Sequence, residues 1–91
     1  MLTVTEGAKQ YLKKVLLAGT DDPDLGIRLT LDVSGEYGVA LDREAPGDDI
    51  VEHEGTKVLL VEHDVAERLA ELTLDAVDTP EGARLRLVPK E

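Results

Sequence analysis

Apolar and polar positions change period several times along this chain, and each change marks an element. Ala8, Tyr11, Leu12, Val15 and Leu16 recur at spacings of three and four, which places them on one stripe of a helix. Lys9, Lys13 and Lys14 fall largely on the other side. Thr3 with Glu6 has capping-box spacing, Thr5 is an alternative N-cap, and Gly19 is a stop signal. The stripe is predicted to face the core. Thr20-Asp21-Asp22-Pro23-Asp24 then has the chemistry of a polar loop.

Period two takes over next. Ile27, Leu29, Leu31 and Val33 alternate with Arg28, Thr30 and Asp32, predicting a strand buried on one face. It runs into Ser34-Gly35-Glu36-Tyr37-Gly38, where two glycines bracket a carboxylate and a tyrosine. Val39-Ala40-Leu41 returns from that tip as the second half of a hairpin. Ala45-Pro46-Gly47-Asp48-Asp49 reads as a turn, followed by strands at Ile50–His53 and Lys57–Val61, hinged around Glu54-Gly55-Thr56. Asp64 and Glu67 have capping spacing for a short second helix, with Val65, Leu69 and Leu72 on one face.

The last stretch folds around Thr79-Pro80-Glu81-Gly82. If Asp78 faces Ala83, then Leu74 meets Leu87 and Ala76 meets Leu85 on one face, while Asp75 meets Arg86 on the other. Apolar pairs on one side and an opposite-charge pair on the other make this register self-consistent. The predicted order is helix, hairpin, hairpin, helix, hairpin: an α+β domain with mainly antiparallel strands, spanning residues 1–91 as one unit.

Composition narrows the chemistry. The chain carries 20 acidic and 10 basic residues, a net charge of −10. Phosphate backbones and anionic membrane surfaces repel such a protein, so no nucleic-acid or membrane partner is expected. The acids are spread along the chain, as in a protein of an acidic or salt-adapted proteome. There is no cysteine, phenylalanine or tryptophan. Thiolate nucleophiles, zinc–thiolate sites and cysteine-ligated clusters are thereby excluded within these residues. No apolar run reaches membrane-spanning length, and Met1–Glu6 lacks the pattern of a signal peptide. These features point to a cytoplasmic protein.

Several of these stretches, taken in order, resemble the HesB/IscA family of A-type iron–sulfur carriers. They are Gly26-Ile27-Arg28-Leu29, Val33-Ser34-Gly35-x-x-Gly38, Asp49-Ile50-Val51, and Gly55-Thr56-Lys57-Val58-Leu59-Leu60-Val61, with the Leu74-Asp75 strand and the Glu81-Gly82 turn. The resemblance covers nearly the whole chain. It implies a β-sandwich of short, mostly antiparallel strands with two flanking helices. It also implies self-association as a dimer or tetramer, and assembly or delivery of iron–sulfur clusters through three cysteines. One of those lies in a Ser-Gly-Cys-x-Gly tip, where this chain has Glu36. The other two form a Cys-Gly-Cys, and the sequence ends at Pro89-Lys90-Glu91, before that segment would begin. The expectation is a divergent, non-enzymatic member with no bound cofactor, acting through itself or a partner protein.

Glu36 is the candidate ligand. Copies converging at the tip could hold a divalent cation through oxygen; otherwise it is a solvated turn carboxylate. Gly35, Glu36, Tyr37 and Gly38 together form a candidate partner or ligand tip, with Tyr37 either stacking on the ligand or packing as a loop residue. His53 and His63 lack ligand spacing and are expected at the surface, with Glu52 and Glu54 pointing away from His53. Neither has a Ser or Cys at activating spacing, so no catalytic triad is expected. No glycine pattern supports nucleotide binding.

Overall fold

The computed structural model describes residues 2–89. Its elements are β1 (Thr3–Val4), α1 (Glu6–Gly19), β2 (Leu25–Leu31), β3 (Tyr37–Arg43), β4 (Asp48–His53), β5 (Thr56–Glu62), α2 (His63–Arg68), β6 (Leu72–Thr79) and β7 (Gly82–Pro89). The strands form a three-stranded sheet, β1-β6-β7, and a four-stranded sheet, β3-β2-β5-β4. The three hairpin pairings are antiparallel, while β1–β6 and β2–β5 are parallel. The architecture is therefore α+β with mostly antiparallel strands in two sheets, as the pattern predicts.

Helix α1 begins where Thr5 accepts a hydrogen bond from the Ala8 N–H. This choice between the two candidate caps has a tertiary reason. Thr3 and Val4 are extended and paired with Thr73 and Leu74 of β6, so Thr3 cannot cap. Thr5 also donates its hydroxyl to Asp75 Oδ1 at 2.7 Å, and its N–H donates to the Leu74 carbonyl at 3.1 Å. The helix start is thus fixed to β6, and Glu6 in the first turn suits the helix dipole.

Leu12 and Leu16 of α1 join Ile27 and Leu29 of β2, Leu59 and Val61 of β5, Leu74 of β6 and Leu85 of β7 in one buried cluster. Each buried leucine contributes roughly 1.5–3 kcal/mol by leaving water. In β4–β5, Val51 faces Leu59 and Glu52 faces Lys57, so Val58 is the extra residue of a bulge. Both Val58 and Leu59 enter the cluster, and Val58 through Val61 are all buried. Leu60 lies outside the cluster against Gly26, where an added Cβ would stand 3.1 Å from Leu60 Cγ. A side chain at Gly26 would require Leu60 to shift.

Four expectations are corrected. β2 ends at Leu31, and Val33 is fully exposed in the turn beyond it. Val15 lies on the predicted core stripe of α1 but is 41% exposed, in the wall of an apolar groove rather than in the core. Asp64 sits inside the first turn of α2, which starts at His63 with Glu62 at the cap and no side-chain capping bond. Leu72 falls in β6 rather than on the α2 face. The terminal hairpin has the expected register, Leu74 opposite Leu87, Ala76 opposite Leu85 and Asp75 opposite Arg86. Asp75 nevertheless makes its close polar contact with Thr5, and that hydroxyl is the main cause holding its carboxyl below the usual aspartate range.

Candidate functional site

The tip between β2 and β3 is organised by Asp32. Its Oδ1 accepts from the Ser34 N–H at 2.9 Å, the Ser34 hydroxyl at 2.6 Å and the Glu36 N–H at 3.0 Å. The Asp32 N–H donates to the Glu36 carbonyl, and the Gly35 N–H donates to the Asp32 carbonyl. An aspartate closing a turn through its own side chain is a recurrent device. The Ser34 hydroxyl, followed by the backbone N–H donors, holds the Asp32 carboxyl below its ordinary range. Gly35 sits at φ +90°, a conformation that favours glycine. Asp32 also fits the polar half of the β2 alternation, so its role in the turn carries no separate signal in the sequence.

The candidate residues divide within this frame. Gly35 and Glu36 lie in the turn, while Tyr37 and Gly38 open β3. Among the described residues, no hydrogen bond or ion pair engages the Glu36 carboxylate. Tyr37 is half-exposed and donates its hydroxyl to the Leu85 carbonyl of β7, so it ties the tip hairpin to the other sheet. The Thr30 hydroxyl donates to the Gly38 carbonyl at 3.3 Å.

The histidines stand elsewhere. His63 is exposed, with Nε2 3.0 Å from Glu67 and Nδ1 3.8 Å from Asp49. The His53 side chain is only 11% exposed, with Nε2 3.2 Å from Glu54 and Nδ1 3.8 Å from Glu6. This corrects both the surface placement and the expectation that Glu54 points away. Glu54 is not in the strand; it takes φ +51° in the hairpin turn, so strand alternation no longer governs where it points. Among the described residues, no group of three or more histidines or acids is placed to hold a metal.

A second polar centre was missed entirely. Arg28 donates to Asp48 through both terminal nitrogens at 2.8 and 2.7 Å, to Asp42 at 2.6 Å and to the Arg43 carbonyl at 3.0 Å. The Asp48 side chain is 2% exposed and also accepts from the Ala45 N–H. The Arg28 guanidinium, chiefly by hydrogen bonding, keeps both carboxyls below the usual aspartate range. The signal available in the sequence was an arginine on the outward phase of β2 with Asp42 and Asp48 nearby in the chain. The arrangement ties Arg28 of β2 to both Asp42 and Asp48, so it fastens the turn between β3 and β4.

Beside the tip lies an apolar groove of about 440 Å³, whose lining includes Tyr11 and Val15 of α1, Tyr37, Val39 and Leu41 of β3, and Leu85 of β7. Val39 and Leu41 are 49% and 44% exposed.

No family model matches the chain, and no curated protein matches it in sequence. Two solved structures share its fold. Escherichia coli SufA, a protein involved in biosynthesis of iron–sulfur clusters, superposes with a TM-score of 0.70 at 22% identity, covering 97% of this chain and 84% of SufA. IscA with a [2Fe–2S] cluster superposes with a TM-score of 0.65 at 21% identity, covering 98% of this chain and 85% of IscA. The chain therefore has the fold of the A-type iron–sulfur carriers, in 91 residues without a cysteine. One carboxylate at the tip is a hard oxygen donor and does not match the thiolate set such a cluster needs. Among the described residues, no helix is long and apolar enough to cross a membrane.

Proposed function

We propose that this chain is a non-enzymatic, cysteine-free member of the A-type carrier fold, acting in the cytoplasm by association with itself or another protein and binding no cofactor. The observation that carries this reading is the β3 hairpin. All seven of its strand residues are exposed, Val39 and Leu41 among them, beside an apolar groove that no described residue fills. Apolar side chains displayed together in this way mark an association surface. The donor chemistry of the tip supports the rest of the reading, since the fold is kept and the thiolates are not. Anaerobic reconstitution with iron and sulfide, followed by absorbance spectroscopy, tests the absence of cluster chemistry. A stable cluster with near-stoichiometric iron and sulfide overturns it. Sedimentation velocity over a range of protein concentrations tests self-association.

A second reading rests on Glu36, the acidic side chain of an otherwise fixed tip that has no partner within the described residues. It would supply one oxygen ligand to a divalent cation, and the remaining donors must come from another molecule. Calorimetric titration of wild type and Glu36→Ala with Mn²⁺, Ca²⁺ and, anaerobically, Fe²⁺ decides this. Equal affinity in both proteins rules Glu36 out.

A further inference from the structure

We infer that the bare edge of β3 pairs with the β3 edge of a second copy of this chain, antiparallel, with Ala40 on the two-fold axis. This rests on the association reading above and specifies its occupant.

The argument begins with what guards the other edges. A free strand edge offers unpaired N–H and C=O groups, and proteins blunt such edges with charge, proline, bulges or brevity. β4, the opposite edge of the same sheet, carries Asp48, Asp49 and Glu52 and runs beside the Val51/Glu52 bulge. β7 carries Arg84, Arg86 and Pro89, and β1 is two residues long. β3 reads Tyr-Gly-Val-Ala-Leu before its first charge, with no proline and no bulge. Among the described residues, β2 is its only strand partner.

The hairpin fixes which groups are free. Antiparallel ladders alternate hydrogen-bonded and non-bonded pairs. The Asp32 N–H to Glu36 carbonyl bond sets the phase at the tip. The Thr30/Gly38, Arg28/Ala40 and Gly26/Asp42 pairs are then the bonded ones. The N–H and C=O groups of Tyr37, Val39, Leu41 and Arg43 consequently point outward. A register centred on Ala40 sets Val39 of one copy against Leu41 of the other, and Tyr37 against Arg43. Every outward group of both strands is paired. Registers centred on Val39 or Leu41 leave the strand ends unmatched. The sequence is also self-complementary in this register. Apolar side chains meet apolar ones, Arg43, whose guanidinium is paired with Asp22 of its own chain, comes opposite the Tyr37 position without a like charge, and Asp42 comes opposite Gly38. Ala40 meets itself in the close, non-bonded kind of pair, where a small side chain fits.

The two four-stranded sheets become one of eight strands. A two-fold axis normal to the sheet keeps both apolar grooves on the same face. The tips end up at opposite ends of the joined strands, with the two Glu36 residues roughly 25 Å apart. Each copy carries a charge of −10, so the copies repel at long range, and association is expected to tighten as salt rises.

The chain has no cysteine of its own, which makes single-cysteine variants clean probes. Opposed Ala40 residues place their Cα atoms about 4.5 Å apart, within disulfide range. Val39 and its own copy are roughly 8–9 Å apart, as are the two copies of Leu41, and both pairs are beyond that range. The expected result is a covalent dimer from Ala40→Cys on mild oxidation, little from Val39→Cys or Leu41→Cys, and a wild type that sediments as a dimer at high concentration. A wild-type dimer in which Ala40→Cys fails to cross-link, or in which Val39→Cys cross-links better, overturns the edge pairing and leaves self-association standing. A wild type that stays monomeric at every concentration and salt overturns self-association itself.

Discussion

β3 and β4 bound the same four-stranded sheet, and almost everything about them differs. Most of β4 is half-buried. Its Asp48 is clamped by Arg28, its Val51 packs on the core, and the hairpin turn that follows it reaches α1 through Glu54 and Lys13. β3 is exposed at every residue, and none of its side chains belongs to the buried cluster or to the apolar residues packed against it. One edge completes the folded chain, while the other offers backbone and apolar surface beyond it. The chemistry of the tip and the open edge of the sheet therefore rest on different residues, so a tip without thiolates leaves the edge intact.

The same substitution on each edge gives the largest contrast. Val51→Asp puts a charge against Leu59 and is expected to cost about 2–4 kcal/mol of stability in urea titration. Val39→Asp should change stability by no more than about 0.5 kcal/mol, since its side chain is half in water, yet abolish the dimer in sedimentation. Comparable stability losses in the two variants would erase the distinction between a structural edge and a free one.

Next in size is Arg28. Arg28→Met leaves Asp48 nearly buried with its principal donor gone, and is expected to cost about 2 kcal/mol. The pH dependence has a definite sign. Asp42 and Asp48 have folded pKa values below the ordinary 3.8, so their contribution is complete above that value and is lost as pH falls through the lower folded values. Between about pH 5 and about pH 2, thermal melting of the wild type should fall more steeply than that of Arg28→Met. Parallel curves would show that the guanidinium does not set the acid response of this corner.

What the sequence made legible follows the range of the interactions. The terminal hairpin was readable to the residue, because Leu74/Leu87, Ala76/Leu85 and Asp75/Arg86 constrain one another across a short turn. The joining of β2 to β5 and of β1 to β6 was not, since parallel pairing between distant segments leaves no local turn signal. Val33 was read into β2 because the alternation continues past Asp32, whose side chain has already closed the turn. The His53–Glu54 contact was hidden for a similar reason, as one left-handed residue at Glu54 ends the strand alternation that set the two on opposite faces. At the tip, the glycine frame and Glu36 were visible, while the organising role of Asp32 and the Tyr37 bond to β7 depended on tertiary placement. The Arg28 centre needs three segments brought together, and no spacing rule encodes that.

The smallest expected effect bears on Glu36 itself. In the Ala40-centred register, Glu36 falls just beyond Tyr37 and so approaches Glu44 of the other copy, just beyond its Arg43. Glu44 is already paired with Lys57 at 3.4 Å in its own chain, so the repulsion is modest. Glu36→Lys replaces it with attraction and is expected to tighten the dimer by roughly two- to fivefold, most clearly at low salt. Stability of the monomer should not move, because the carboxylate has no partner among the described residues. The direction of this effect separates the two uses of the tip. If Glu36 gathered a cation between copies, lysine there would loosen the assembly, and adding the cation to wild type would tighten it. If β3 pairs edge to edge, lysine tightens the dimer and the cation is irrelevant. Glu36 would then act on association only through its charge, at the rim of a surface whose affinity would reside in Val39, Ala40 and Leu41.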